Sequence, residues 1–145
     1  MKEAGFEFEE HTADIKVRSW GRTLEDAFIQ TALSLMTIMT PDLKRISPLV
    51  KRSIEITSED TYALLFDFLS EFLYFFDVEG LIFSDIIVNL NKTKNDEYFL
   101  KAIMSGEKFD RDKHEIGTEV KAVTYSFMTI KKKRSKIEIE IIFDV

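Results

Sequence analysis

Cysteine is absent from this chain of 145 residues. Disulfide bonds, thiolate nucleophiles and thiolate-bound zinc or iron–sulfur sites are therefore excluded. Any metal ion must be bound by oxygen atoms or by the two histidines, His11 and His114. This absence favours hard cations such as calcium, which prefer carboxylate and carbonyl oxygens.

Long hydrophobic runs are also missing. No apolar segment follows Met1-Lys2-Glu3, and no stretch of about 18 apolar residues occurs. We therefore expect neither a secretion signal nor a membrane span, and we expect the protein in the cytoplasm.

Basic residues are fewer than acidic ones. The chain has 20 Lys and Arg and 26 Asp and Glu, which gives a net charge of −6. Nonspecific binding to nucleic acids depends on neutralising phosphates with basic side chains, so the composition argues against it. The basic run Lys131–Arg134 precedes an alternating segment and is predicted to be the solvated tip of a hairpin.

Hydrophobic residues make up 45% of the chain, and 13 of them are phenylalanine. A chain of this length and composition can bury one sizeable core, so we predict one domain over residues 1–145. Two domains of half this length would each have a thin core.

Two helices are predicted. Thr23 with Asp26 resembles a capping box, and helical spacing of apolar residues continues from there to Pro41. A second helix should begin near residues 57–60, end near Phe76 and be followed by a stop at Gly80. Its apolar surface is wide enough to predict coverage on both flanks, at the centre of the core.

Alternating apolar and polar residues predict the strands, and Asp14 lies at the start of one of them. The predicted strands cover approximately residues 6–9, 15–20, 50–56, 81–91, 97–109, 119–131 and 136–143. The order ββαβαββββ lacks the strict alternation of a parallel α/β fold. It predicts a single α+β domain, a largely antiparallel β-sheet with two main helices packed on it.

Motifs of self-sufficient catalysis are missing. The chain has no glycine-rich phosphate loop, no HExxH and no GxSxG, and its serines and threonines have no adjacent base. The sequence therefore predicts that the protein is not an enzyme.

Oxygen ligands are available from Asp14, Asp144 and Val145. A final strand ending at Phe143 would leave Asp144 at the sheet edge, and Val145 would add a main-chain oxygen and its α-carboxylate. Calcium takes six to eight oxygens, so carbonyls and waters would complete its shell. The alternative is that Asp14 only caps a turn and that Asp144 belongs to a solvated tail.

Two further segments carry charged side chains. The loop Asp110–Glu115 contains His114, and its mixed charges are typical of a solvated connection. In the predicted strand from Glu119, the side chains of Glu119, Lys121, Val123 and Tyr125 would share one face. A surface ion pair is the simplest interpretation of Glu119 and Lys121.

Three blocks of this sequence together resemble the archease family. The first is His11-Thr12-Ala13-Asp14-Ile15 with its continuation over residues 21–28. The second runs from Asp110 to Tyr125 and contains GTEVKAVTY, and the third is Phe143-Asp144-Val145. One departure is Ser126, where many relatives are expected to have histidine.

The resemblance implies a non-enzymatic accessory protein that activates the RtcB-type RNA ligase of tRNA splicing, by promoting its GTP-dependent guanylylation and multiple turnover. It implies a divalent metal ion, calcium or a similar one, bound by Asp14, Asp144 and Val145. His114, Glu119 and Lys121 match motif positions expected to face the ligase. RNA would be contacted only through the ligase.

Two other classes of function stay open at this point. A general protein-binding or chaperone-like module is the main alternative, because the chain is rich in phenylalanine. A metal-dependent hydrolase or nuclease is the third, and turnover by the isolated protein would be needed to support it.

Overall fold

The computed structural model describes residues 3–9 and 14–145. Eight strands, two α-helices and a short 3-10 helix follow one another along the chain. In order they are β1 (Gly5–Glu9), β2 (Asp14–Gly21), α1 (Leu24–Met39), the 3-10 helix (Leu43–Arg45), β3 (Val50–Ser58), α2 (Thr61–Glu79), β4 (Leu81–Lys92), β5 (Tyr98–Lys108), β6 (Ala122–Val123), β7 (Thr129–Lys133) and β8 (Lys136–Asp144).

The strands form two antiparallel sheets. The larger sheet has the order β1-β2-β8-β6, with β7 also paired to β8, and the smaller one has the order β3-β5-β4. Every strand pairing is antiparallel. The predicted α+β class with two helices is confirmed, while the division of the strands between two sheets is a feature that strand patterns do not reveal.

Helix α2 occupies the centre of the core, as its wide apolar surface predicts. The Asp60 carboxylate accepts a hydrogen bond from the Ala63 N–H at the N-terminus. Gly80 ends the helix in the left-handed conformation with φ 67°, which glycine adopts without steric cost. The helix contacts α1 and strands of both sheets.

Phenylalanine rings fill much of the core around this helix. Phe68 packs edge to face on Phe72 at 5.2 Å, and Phe72 packs in the same way on Phe83 at 5.8 Å. All three side chains are fully buried. Edge-to-face packing of this kind adds to the stability gained from apolar burial alone.

Helix α1 begins as predicted: the Thr23 hydroxyl accepts a hydrogen bond from the Asp26 N–H. Its C-terminus is capped from a distance, because Gly117 N–H donates to the Met39 carbonyl and Thr118 N–H to the Ile38 carbonyl. A Cβ atom at position 117 would lie 2.1 Å from the Ile38 oxygen. Only glycine can approach the helix end this closely.

The predicted continuous strand over residues 119–131 is wrong. The two residues just before it, Gly117 and Thr118, dock on helix α1, and strand pairing within it occurs only in the short β6 and again in β7. Between them, the Met128 N–H donates to the Tyr125 carbonyl and closes a turn in which Phe127 has φ 56°. The turn interrupts the ladder, and Val120 and Val123 are both buried instead of alternating.

The basic run lies at a hairpin, as predicted, with Lys133 opposite Lys136 where β7 turns into β8. No helix in the described part of the chain is long and apolar enough to cross a membrane.

Candidate functional site

Asp14 and Asp144 lie directly opposite each other in the β2–β8 ladder. Asp14 is the first residue of β2, and Asp144 is the last residue of β8. Directly opposed residues of an antiparallel pair project to the same face, with Cβ atoms about 4.5–5.5 Å apart. The structure therefore brings together two carboxylates that are distant in the sequence.

The two aspartates share the face of the sheet that points away from the main core. Their strand neighbours Ile15 and Phe143, also opposed to each other, pack on the core side. Side chains alternate along a strand, so Asp14 and Asp144 lie on the other side, and both are half-buried.

Ion pairs cover this outer face beyond the aspartates. Lys16 Nζ lies 2.9 Å from Glu140, and Arg18 Nη1 lies 3.3 Å from Glu138. Burial would raise the pKa of Glu138, but hydrogen bonds from Lys133 and Arg18 lower it below its ordinary value. The face is thus a charge network in which buried carboxylates are neutralised by lysine and arginine.

A third strand adds main-chain contacts to Asp144. Ala122 of β6 lies opposite Asp144, and the Lys121 N–H donates to the Asp144 carbonyl at 2.8 Å. Lys121, Asp14, Asp144 and the following residue Val145 therefore meet at one end of the sheet. The Lys121 side chain is exposed.

Glu119 lies on the other side of this segment, toward α2. It is exposed and lines a cavity of about 310 Å³. Apolar side chains line most of that cavity, among them Leu73, Phe76 and Phe109, and Asp77 contributes a second carboxylate. Glu119 and Lys121 thus flank the buried Val120 and face different surroundings.

His114 is buried, with 3% of its surface exposed. Its Nδ1 accepts a hydrogen bond from the Asp110 N–H at 2.9 Å, and its Nε2 lies 3.1 Å from the Glu107 carboxylate. An acceptor at Nδ1 assigns the proton of a neutral ring to Nε2, which donates to Glu107. The ring also stacks on Phe109 at 5.7 Å.

Glu107 is the centre of this second cluster. Its burial would raise the pKa, but hydrogen bonds from Lys113, the Ser47 N–H and His114 outweigh that effect and hold the pKa at about 2. The cluster fixes the loop from Asp110 to His114 on the strand end of β5. Sequence reasoning missed Glu107, because nothing local marks it as the partner of His114.

Comparison with known proteins gives consistent matches over nearly the whole chain. Residues 6–145 match the Archease protein family (MTH1598/TM1083). Protein archease of Thermococcus gammatolerans is 48% identical over 127 residues, 88% of each chain. Protein archease of Methanosarcina mazei is 36% identical over 140 residues, 97% of this chain and 95% of its own.

This chain belongs to the archease family. The solution structure of Methanobacterium thermoautotrophicum protein 1598 is 37% identical and superimposes with a TM-score of 0.86, covering 97% of this chain and 99% of that one. A crystal structure of a Thermotoga maritima archease, described as a possible chaperone, has a TM-score of 0.62 at 21% identity, with 94% of each chain covered. The second likeness supports the fold alone.

The archease match includes all the predicted site residues, but the structure describes only some of their surroundings. His11, Thr12 and Ala13 of the first block lie outside the described residues. Among residues 3–9 and 14–145, no three His, Cys, Asp or Glu side chains form a metal-binding cluster.

The donor chemistry at the Asp14–Asp144 pair nevertheless fits a hard divalent cation. Two carboxylates on opposed positions repel each other, and a bound cation would remove that repulsion. Main-chain oxygens and waters complete the shell of such an ion in many proteins, and Val145 offers an oxygen next to Asp144. Carboxylate and carbonyl oxygens alone select calcium-like ions over soft metals.

Proposed function

We propose that this archease is a metal-binding accessory protein of an RtcB-type RNA ligase, and that it promotes the ligase's GTP-dependent guanylylation and multiple turnover in tRNA splicing. The observation that carries the proposal is the direct opposition of Asp14 and Asp144 across β2 and β8. A single archease domain over residues 1–145, acting in the cytoplasm, performs this role without a reaction of its own.

Asp14, Asp144 and an oxygen of Val145 bind the divalent ion, which we propose is calcium. The ion supplies positive charge at a sheet edge where two carboxylates meet. Asp144 is held in place on both sides, by the β2 ladder and by the Lys121 N–H. The ligands are therefore positioned by main-chain hydrogen bonds, and little ordering is needed when the ion binds.

Lys121 and Glu119 contact the ligase from the segment next to the metal ligands. Both side chains are exposed, and the segment is anchored by Gly117 and Thr118 on helix α1. His114 supports this surface from inside through the loop that it fixes. RNA is reached only through the ligase, in keeping with the net charge of −6.

The test is GTP-dependent guanylylation of the cognate ligase over several turnovers. Wild type, Asp14→Ala and Asp144→Ala would be compared at equal concentrations, with Asp85→Ala, an exposed aspartate of the other sheet, as the matched control. We expect stimulation by wild type and by Asp85→Ala only. Full stimulation by an Asp14→Ala/Asp144→Ala double variant would refute the role of the pair.

A chaperone-like function is the second candidate, because Tyr125 and Phe127 are 53% and 73% exposed. Exposed aromatic side chains of this kind could bind unfolded segments of several clients. Suppression of aggregation of unrelated proteins, together with no effect of wild type on the ligase, would favour this function over the first.

A further inference from the structure

One long part of the chain carries charge of a single sign. Between Arg52 and Lys92 the sequence has eight acidic residues and no basic one. The acids are Glu55, Glu59, Asp60, Asp67, Glu71, Asp77, Glu79 and Asp85. Helix α2 lies within this part, so every charged side chain along the helix is negative.

Two exposed acids of this part lie beside aromatic rings. The Tyr125 ring stacks on Phe66 of α2 at 4.3 Å with the planes 8° apart. Partial burial raises the pKa of the Tyr125 hydroxyl, and the negative charges of Asp67 and Asp60 raise it further. The Tyr62 hydroxyl joins helix α2 to strand β7 by accepting a hydrogen bond from the Ile130 N–H.

We name this region the acid-flanked aromatic surface. It consists of Tyr62, Phe66, Tyr125 and Phe127 with the neighbouring Asp60 and Asp67.

Asp60 caps the N-terminus of α2, but no basic side chain among residues 3–9 and 14–145 neutralises either acid of this surface. No ion pair within residues 3–9 and 14–145 involves Asp60, Asp67 or Glu71. Burial raises the pKa of Glu71, and the like charge of Asp67 one helical turn away raises it further. Like charges at this spacing destabilise a helix, so the fold gains nothing from placing Asp67 and Glu71 one turn apart.

Phe127 has a backbone conformation that suits glycine better. It is the third residue of the turn closed by Met128 and Tyr125, and its φ of 56° lies in the left-handed region. Large side chains in that region carry a steric cost. Yet the ring is 73% exposed, so burial offsets little of the cost. An exposed aromatic side chain at a turn offers apolar surface that another molecule can contact.

We propose that the acid-flanked aromatic surface docks a basic protein surface of the ligase, whose arginine and lysine side chains stack on Tyr125 and Phe127 and pair with Asp60 and Asp67. The proposal rests on the function proposed above. An enzyme that joins RNA ends must present cationic side chains to the phosphates, which supplies the complementary charge. Cations on aromatic faces beside carboxylates are a stable pairing.

The position of the surface supports this partner over others. Tyr125 follows Ala122, which lies opposite Asp144, by three residues, so at most about 11 Å of chain separates Tyr125 from that position. RNA and anionic membranes would be repelled by the acids. A partner that approaches the metal site therefore meets this surface as well.

The test is the affinity of the full-length chain for the ligase without GTP or RNA, measured calorimetrically at low and high salt. Phe127→Gly and Asp67→Lys are the test variants. Leu49→Ala and Asp85→Lys are the controls, since Leu49 is 74% exposed and Asp85 is an exposed acid, both away from α2. Thermal unfolding is recorded for each variant.

We expect each test variant to bind the ligase about tenfold more weakly than wild type. This change in affinity corresponds to the loss of one cation–π or ion-pair contact. The controls should bind as wild type does. Phe127→Gly should unfold no earlier than wild type, because glycine relieves the strained φ. Asp67→Lys should also weaken the salt dependence of binding.

Each outcome has a separate meaning. Wild-type affinity of both test variants would overturn the docking surface, even if wild type stimulates guanylylation. Weaker binding by the test variants with no stimulation by wild type would support the surface and overturn the proposed function. No binding of wild type to the ligase would overturn both.

Discussion

Nε2 of His114 lies 3.1 Å from Oε2 of Glu107, and two more donors reach the same oxygen: Lys113 Nζ and the Ser47 N–H, each at 2.6 Å. Three donors on one nearly buried carboxylate oxygen stabilise its charged form. The pKa of about 2 in the folded protein is the consequence, and it makes this cluster sensitive to acid.

Acid should destabilise the fold through Glu107. Its pKa is about 4.5 when unfolded and about 2 when folded, so the unfolded chain takes up the proton at higher pH. The stabilisation, about 3 kcal/mol, is complete above about pH 5 and is lost as the pH falls toward 2.

Urea unfolding of wild type and Glu107→Gln at pH 7, 5 and 3 measures this contribution. The difference between the two proteins should shrink as the pH falls. Glu55→Gln, an exposed carboxylate on β3, is the control and should show little difference at any pH. A constant difference for Glu107→Gln across the range would contradict the prediction.

Replacing His114 by phenylalanine separates ring packing from hydrogen bonding. The new ring can still stack on Phe109, but the Asp110 N–H loses its acceptor and the buried Glu107 loses a donor. Unsatisfied buried groups cost about 1–3 kcal/mol each, so we expect a loss of about 2–4 kcal/mol in the free energy of unfolding. Denaturant titration at pH 7 checks this, and an unchanged midpoint would show that packing alone matters.

Calcium should raise the unfolding temperature through the Asp14–Asp144 pair. At free calcium of about 100 times Kd, wild type should gain about 2.7 kcal/mol, and Asp144→Asn should gain nothing. In EDTA, Asp144→Asn should be as stable as wild type or slightly more so, because it removes the repulsion between opposed carboxylates.

Differential scanning calorimetry with calcium and with EDTA distinguishes these cases. Asp112→Asn, an exposed loop carboxylate, is the control and should respond to calcium as wild type does. An equal rise for Asp144→Asn and wild type would argue against metal binding at the pair.

Gly117→Ala should be among the most destabilising small substitutions. The added Cβ would lie 2.1 Å from the Ile38 oxygen and 2.7 Å from the Met39 oxygen, both of them main-chain atoms that cannot rotate away. The segment would separate from α1, and the helix would lose its distant cap. We expect a loss of about 2–4 kcal/mol by denaturant unfolding.

Gly80→Ala is the matched control for that substitution. Its Cβ would meet no atom within 4 Å, so only the positive φ of 67° opposes it. The expected loss is about 1 kcal/mol. If the two variants unfold at the same denaturant concentration, close approach to the helix end is not what requires glycine at position 117.

Both helices were predictable because their signals are local. Thr23 with Asp26 and the left-handed stop at Gly80 depend on a few neighbouring residues, and the observed helix ends agree with them. The apolar width of α2 likewise predicted its place between the other elements. Propensity, capping and periodicity all indicate the same structure in these segments.

The features that could not be predicted from the sequence depend on contacts between residues far apart in the chain. The segment from Glu119 to Lys131 has strand-like composition, but docking of Gly117 and Thr118 on α1 and the turn at Phe127 override it. The register that places Asp14 opposite Asp144 is set by pairing between strands near the two ends of the sequence. No local pattern contains that information. His114 matched a family motif, but its burial against Glu107 could be seen only in the structure.

The β2–β8 ladder also has a kinetic consequence. Its strands are separated by both helices and by the whole smaller sheet, so its closure is a long-range step that follows the formation of local structure. Asp14 and Asp144 are neighbours only after that step. A partially folded chain therefore lacks the paired carboxylates. A molecule that recognises the pair binds only chains in which this last long-range step is complete.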